Sequence, residues 1–214
     1  MTKKILPVVD PPIHGFLYWG FTLSITMKNE KSHPWFYTNF IQLHCNRDFL
    51  EKKKKLRFDF YLGRYEYRYN NPFLITQMLS PELFPDLKGD RMIDFFIHAI
   101  DQGYYPVPFV DEHYLSQSPS YKNRHLPHHV MLCGYDLERE LFIKKGFDRK
   151  GLFGKQETTF TEIKSAYDHM LEELEADEKN EFHPDHQRSF LFKYNEQYSY
   201  DFSIDQVQQQ IEDT

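Results

Sequence analysis

Residues 125–148, HLPHHVMLCGYDLERELFIKKGFD, hold a histidine at the mouth of one apolar run and an aspartate at the end of the next. With a turn over residues 136–139, residues 129–135 run antiparallel to residues 140–146, and that register brings His128 opposite Phe147 or Asp148. A carboxylate beside an imidazole fixes its tautomer and lets it take a proton from a thiol, which is the logic of Cys-His-Asp catalysis. Of the two cysteines, Cys45 lies in the polar stretch LHCNRD, within reach of solvent, whereas Cys133 sits inside the apolar run VMLC and reads as buried and inert. Asn39 and Gln42 precede Cys45 on the same expected helix and carry amides suited to stabilising an oxyanion.

Each residue also has a plainer role. A histidine opening a strand is more often a hydrogen-bonded surface residue than a base, and a lone cysteine near a helix end is usually packing. Asp136 follows Gly-Tyr, where turns favour aspartate on backbone grounds, and Asp148 beside Arg149 and Lys150 can cap a turn. Eleven histidines invite a metal, with His113, His125, His128 and His129 close in sequence and His183 and His186 flanking Asp185. The spacings match no zinc signature, neither HExxH nor CxxC occurs, and no Gly-rich loop with Lys and Ser or Thr indicates ATP. No metal and no other cofactor is expected.

The elements that must position these groups follow from patterning. Residues 16–27, FLYWGFTLSITM, are aromatic and β-branched and read as a strand or buried extended piece. Trp35, Thr38, Ile41 and Gln42 stand at helical spacing after Pro34, predicting a buried helix that ends near Cys45. LRFDFYLGRYEYRY reads as strand, turn, strand, and NPFLITQMLS fits either type. Met92, Ile93, Phe96, Ile97 and Ile100 predict an amphipathic helix closed by Gly103, with Asp94 and Asp101 in water. Pro106 and Pro108 favour an edge or irregular position for the next strand. After the hairpin, TTFTEIKSAYDHMLEELEA is a helix started at Thr161; residues 189–203 read as a strand, and the last helix is capped by Ser203, three before Gln206. This order is α+β, with a buried helix packed on a central antiparallel sheet. Residues 1–176 form the main domain, and residues 177–214 a polar linker, a strand and a C-terminal helix packed on it.

The 214 residues, 40% hydrophobic and 17% aromatic, supply a sizeable core. A net charge of −6, with one short basic run at residues 52–55, argues against nucleic acid as a partner. No stretch of eighteen apolar residues occurs, and Pro7, Pro11 and Pro12 interrupt the N-terminus before a signal-peptide core forms, so no membrane partner and a cytoplasmic location are expected. Two cysteines supply no disulfide framework.

Residues 104–153 resemble the papain-like cysteine-peptidase fold in its butirosin-type (BtrH N-terminal) acyltransferase variant, which accompanies thiotemplated antibiotic biosynthesis. The likeness is carried by a strand with Val110-Asp111, by Ser118 to Tyr121, and by His128 six residues before Gly-Tyr-Asp. It extends over about residues 90–170 and implies a papain-like fold and transfer of an acyl group from a carrier-protein thioester to an amine, without ATP. Asn39 stands six residues before Cys45, the spacing of the oxyanion amide in papain-like enzymes. In that fold the nucleophilic cysteine opens the central helix, where the helix dipole lowers its pKa; here Ser32 or His33 takes that place unless Cys45 opens a helix of its own.

Two functions are expected on this basis. The first is an amide-forming acyltransferase or peptide ligase, with a hydrolase as its near variant: Cys45 the nucleophile, His128 the base and then acid, Asp148 its orienting partner, and Asn39 the oxyanion donor. Its partners are an acyl or peptidyl carrier protein and a small-molecule amine, with Asp111, Tyr114 and Tyr121 contacting substrate and Tyr104, Tyr105 and Phe109 helping to exclude water. The alternative is a non-catalytic papain-like binding or scaffold protein for a small aromatic metabolite or a carrier protein.

Overall fold

The computed structural model of the protein describes residues 2–45, 58–60, 71–80, 83–176 and 188–212. Its strands are β1 (Lys3–Ile5), β2 (Leu43–Cys45), β3 (Phe58–Phe60), β4 (Leu74–Leu79), β5 (Tyr105–Val107), β6 (Phe109–Asp111), β7 (Pro127–His129), β8 (Met131–Asp136), β9 (Leu141–Phe147), β10 (Phe153–Thr159) and β11 (Ser189–Tyr194). The helices are α1 (Leu17–Thr26), α2 (His33–Asn39), α3 (Gly89–Asp101), α4 (Phe160–Ala176) and α5 (Ile204–Glu212), with short 3-10 turns at Glu30–Ser32 and Glu112–Tyr114. The class is α+β, with helices on antiparallel sheets.

The central sheet runs β1-β8-β9-β10, antiparallel throughout. The hairpin expected about a turn at residues 136–139 is its middle, β8 and β9, with the turn one residue later at 137–140, where two apolar runs flank polar residues. A bulge lies between Leu132 and Gly134. A second sheet, β4-β11-β5, places Pro106 on an edge strand, where its missing N–H costs no ladder bond. The smaller ribbons β2-β3 and β6-β7 complete the pairing.

Residues 16–27 correct the expectation of a strand: they form α1, which is buried on nearly every side. One side joins the main core through Leu17, Phe21 and Ile25, and another joins a second cluster with Trp19, Leu23, Trp35 and Phe73. A helix buried on both sides has no polar stripe, so its periodicity is silent. Its hydroxyls are satisfied within the helix: Thr22, Ser24 and Thr26 donate to the carbonyls of Tyr18, Gly20 and Thr22 at 2.6, 2.6 and 3.1 Å. Gly20 lets the helix come down onto Phe153, since a Cβ there would lie 2.9 Å from the ring.

The α2 boundary is also corrected. The helix ends at Asn39 because Phe40 leaves helical geometry, at φ −95° and ψ 56°, so Cys45 ends a strand instead of a helix. Of LRFDFYLGRYEYRY only β3 falls within the described residues, and the remainder of that expectation lies outside them, as does the 177–187 linker. NPFLITQMLS resolves as β4. In α3, Phe96 and Ile100 are buried, Ile97 packs partly against the core, and Asp94 and Asp101 are exposed, as the spacing predicts. The cap of α4 is Thr159 and not Thr161: its Oγ1 accepts the Glu162 N–H at 3.1 Å while Glu162 Oε2 accepts the Thr159 N–H at 2.7 Å, a reciprocal capping box. Ser203 caps α5 through Gln206 N–H at 3.2 Å. Strand β10, FGKQETT, is a finding of the structure alone; its polar composition suits a sheet edge.

At Gly134, β1 crosses so closely that a Cβ would lie 2.7 Å from the Lys4 carbonyl and 3.0 Å from Ile5 Cα, both backbone atoms that cannot rotate away. Gly134→Ala is expected to destabilise the protein by about 1–3 kcal/mol, read as a lower denaturant midpoint. Gly154→Ala, where nothing lies within 4 Å, should change it by no more than about 0.5 kcal/mol. Equal midpoints for the two variants would refute the close crossing.

Candidate functional site

Two carboxylates on successive residues, Asp111 and Glu112, stand where β6 passes into the 3-10 turn. Strand β7 pairs with β6 so that Val110 faces His128 and Asp111 faces Pro127. The segment returning to β7 therefore carries His125 and His128 back over the two acids. Helix α4 packs on β6 and on the 3-10 turn and brings His169 to the same place.

Asp111 is 1% exposed and fully committed. Its Oδ1 accepts the backbone N–H of His113 at 3.0 Å and of Leu126 at 2.9 Å, while Oδ2 lies 2.5 Å from His125 Nδ1 and 4.0 Å from His169 Nε2. Burial by itself would raise this carboxyl; the bonds from His125 and the two backbone amides outweigh it and hold the group below its ordinary value. Since the carboxylate is ionised, His125 Nδ1 is the donor in this pair. Glu112 repeats the arrangement: Oε1 meets His128 Nδ1 at 2.8 Å and Oε2 accepts the Ser118 hydroxyl at 2.5 Å. Burial again works upward, and the bonds from His128 and Ser118, with the His128 and Lys144 charges, bring the carboxyl down.

Four rings cover these acids. His113 stacks on His125 at 4.4 Å between centroids, and His169 lies 5.1 Å from both His125 and Tyr114. Nδ1 of His113 and Nδ1 of His169 are buried without a hydrogen-bond partner among the described residues. Tyr121 lies nearby in chain under the Arg149 guanidinium, 5.4 Å from its ring centroid, and Arg149 in turn donates to the Ser116 carbonyl.

The expected triad is not brought together. His128 belongs to β7, opposite Val110, and takes Glu112 as its carboxylate; the chain leaves that ribbon at Val130 before entering β8, so the hairpin register does not carry back to it. Asp148 instead closes the β9–β10 turn, its Oδ1 accepting the N–H of Lys150 at 2.8 Å and of Leu152 at 2.9 Å. Asp136 pairs with Lys3 at 3.0 Å and holds the hairpin turn. Cys45 is exposed on the β2-β3 ribbon, and no hydrogen bond joins it to His128. The Asn39 amide donates to the Trp35 carbonyl at 2.8 Å, with the Tyr200 hydroxyl at 3.5 Å. His33 Nε2 bonds the Met27 carbonyl, and Ser32 donates to the carbonyls of Thr26 and Asn29. The buried helix α1 opens at Phe16 and Leu17, with no thiol at its N-terminus. Cys133 is buried, and burial, only partly offset by Lys155 and Lys145, pushes its thiol up to about 11.

The predicted contact residues Asp111 and Tyr114 do belong to the cluster. His129 points away, its Nε2 on the Arg188 carbonyl at 2.9 Å and its ring against Phe109 and Phe190, as strand alternation requires. Tyr105 and Phe109 are core residues, not a solvent-excluding lining. Sequence reasoning missed Glu112 and His169. The adjacent pair Asp111-Glu112 ahead of a histidine-rich return was a usable signal; His169, on a helix far along the chain, had none.

Lys144 lies beneath this site, 2% exposed, with its Nζ on Gln156 across the β9–β10 pair. Burial lowers its pKa to about 8 against the attraction of Glu112, Glu162 and Asp148. Between about 8 and the ordinary 10.5 the unfolded chain holds the proton that the folded chain has lost, so this group's contribution to stability rises with pH in that window. The stability of the wild type relative to Lys144→Met should therefore climb by on the order of 2–3 kcal/mol from pH 8 to 10.5, measured by denaturant unfolding of both proteins. A flat difference would rule out the buried charge.

No protein-family model and no curated protein matches this sequence.

Proposed function

We propose that the chain is a non-catalytic relative of the butirosin-type acyltransferases that binds a small aromatic amine on the face formed by Asp111, Tyr114, His125 and His169. One observation carries the reading: the His113, His125 and His169 imidazoles and the Tyr114 phenol converge over the buried Asp111 carboxylate, whereas neither cysteine joins them. Stacked rings offer flat apolar contact to an aromatic ligand. Asp111 lies beneath the rings, and Glu172 and Glu173 on α4 add negative charge near Tyr114, so the face favours a cationic nitrogen.

Acyl transfer through Cys45, His128, Asp148 and Asn39 needs a thiol against the His128 imidazole and a carboxylate on its far side. His128 has the carboxylate in Glu112, but Asp148 and the Asn39 amide are held by local backbone partners. A carrier protein as docking partner is compatible with the same face and is the second source of a ligand amine or thioester.

Titrating the protein with tyramine while following the histidine ring signals by NMR should give saturable shifts of His125 and His169. Tyr114→Ala should weaken the binding by roughly tenfold, the loss of one ring contact, and Cys45→Ala should bind as wild type. No amide should form from a carrier-protein acyl thioester and tyramine. Turnover that disappears in Cys45→Ala would replace this reading by the acyltransferase.

A further inference from the structure

We infer that Asp111, His125 and His169 form a site for a divalent transition-metal ion of the zinc class, with an open coordination position beside Tyr114. The inference rests on the binding face proposed above and adds the ion to it. Each residue offers one donor atom, and the three donors lie within 4.8 Å of one another.

The carboxylate is held as a ligand would be. Backbone amides of His113 and Leu126 occupy Oδ1, which fixes the orientation of the group and leaves Oδ2 directed at the two imidazoles. His169 is half-buried, lies 4.0 Å from that oxygen, too far to hydrogen-bond it, and makes no hydrogen bond through either nitrogen among the described residues. Nε2, the nitrogen that faces Asp111, is the donor an ion would take, and no competing hydrogen bond holds it among the described residues. Two imidazole nitrogens and one carboxylate oxygen suit zinc, cobalt or nickel and not calcium or magnesium, which take oxygen shells.

Donors of a tetrahedral zinc with bonds of about 2.0 Å stand about 3.3 Å apart. The Asp111–His125 separation of 2.5 Å must then widen and the Asp111–His169 separation of 4.0 Å must close. His125 can move because its side chain is 59% exposed, whereas Asp111 is immobilised. If Nδ1 of His125 becomes the ligand, its proton leaves to solvent as the metal enters. Three protein donors leave a position beside Tyr114 for water, or for the amine nitrogen once it has released its proton to solvent. The short spacing signatures of zinc proteins do not apply, because β6, the return to β7 and α4 each contribute one donor.

The test is a Co2+ titration of protein freed of metal with EDTA, near neutral pH. One equivalent should produce the visible absorption of a low-symmetry, four- or five-coordinate cobalt site, and Zn2+ should abolish it. His169→Ala and His125→Ala should each weaken binding by at least about tenfold, with circular dichroism unchanged; Asp111 is spared because its loss would also release two backbone amides. His98→Ala, an exposed histidine on α3, should bind cobalt as wild type. Absence of the band, or a band that survives in His169→Ala, overturns the site. The cobalt readout is independent of tyramine: a cobalt site in a protein that ignores tyramine upholds the metal and rejects the amine, and tyramine binding without cobalt does the reverse.

Discussion

The burial of two negative charges on consecutive residues governs the arrangement of the functional face. Asp111 and Glu112 leave water only because each oxygen meets a donor: two backbone amides and His125 for the first, His128 and Ser118 for the second. Those donors come from the 3-10 turn, from the loop ahead of β7 and from β7 itself, so satisfying the acids folds the loop back over β6. Removing either acid would leave the His113 and Leu126 amides, or the buried Ser118 hydroxyl, without this acceptor, which makes the local backbone and the chemistry of the face one structure.

Helix α1 is the second constraint. It lies between two clusters and shares Phe21 and Ile25 with one, Trp19 and Leu23 with the other. Its glycine sets the approach to Phe153, and its hydroxyls are returned to its own carbonyls, so nothing polar faces either cluster unsatisfied. Its N-terminus is formed by the apolar residues Phe16 and Leu17. The helix contributes packing, and the polar groups gather on the other side of the sheet architecture, around β6 and α4.

What could be read from the sequence was whatever has one buried face. The β8–β9 hairpin showed as two apolar runs about a polar turn, α3 as apolar residues at helical spacing, and the α5 cap as Ser203 ahead of Gln206. Helix α1 escaped because burial on both sides erases periodicity, and β10 because an edge strand of alternating polar residues resembles a loop. At the site, Asp111 and Tyr114 were legible as polar and aromatic residues next to an apolar strand. His128 was legible as an imidazole with a carboxylate partner, but that partner is Glu112 and not Asp148, since extending the hairpin register through Val130 ignores the change of partner strand there. His169 joins across tertiary contacts that no local spacing records.

Strand β11 lies between β4 and β5, pairing Ser189 to Tyr194 with Leu79 to Leu74 on one side and Phe190 to Phe192 with Val107 to Tyr105 on the other. Two strands are thus joined, among the described residues, by a third made later in synthesis. Until that segment emerges, both present open ladder edges and an apolar face, including Leu74, Leu79 and Val107, that have no permanent cover. Closing so long a loop is slow relative to local hairpins, so the order of events during folding is set from the C-terminal side: the β8–β9 hairpin can form as soon as it is made, while the second sheet must wait. The nascent chain passes through a stage in which chaperone binding and aggregation compete for the same two edges.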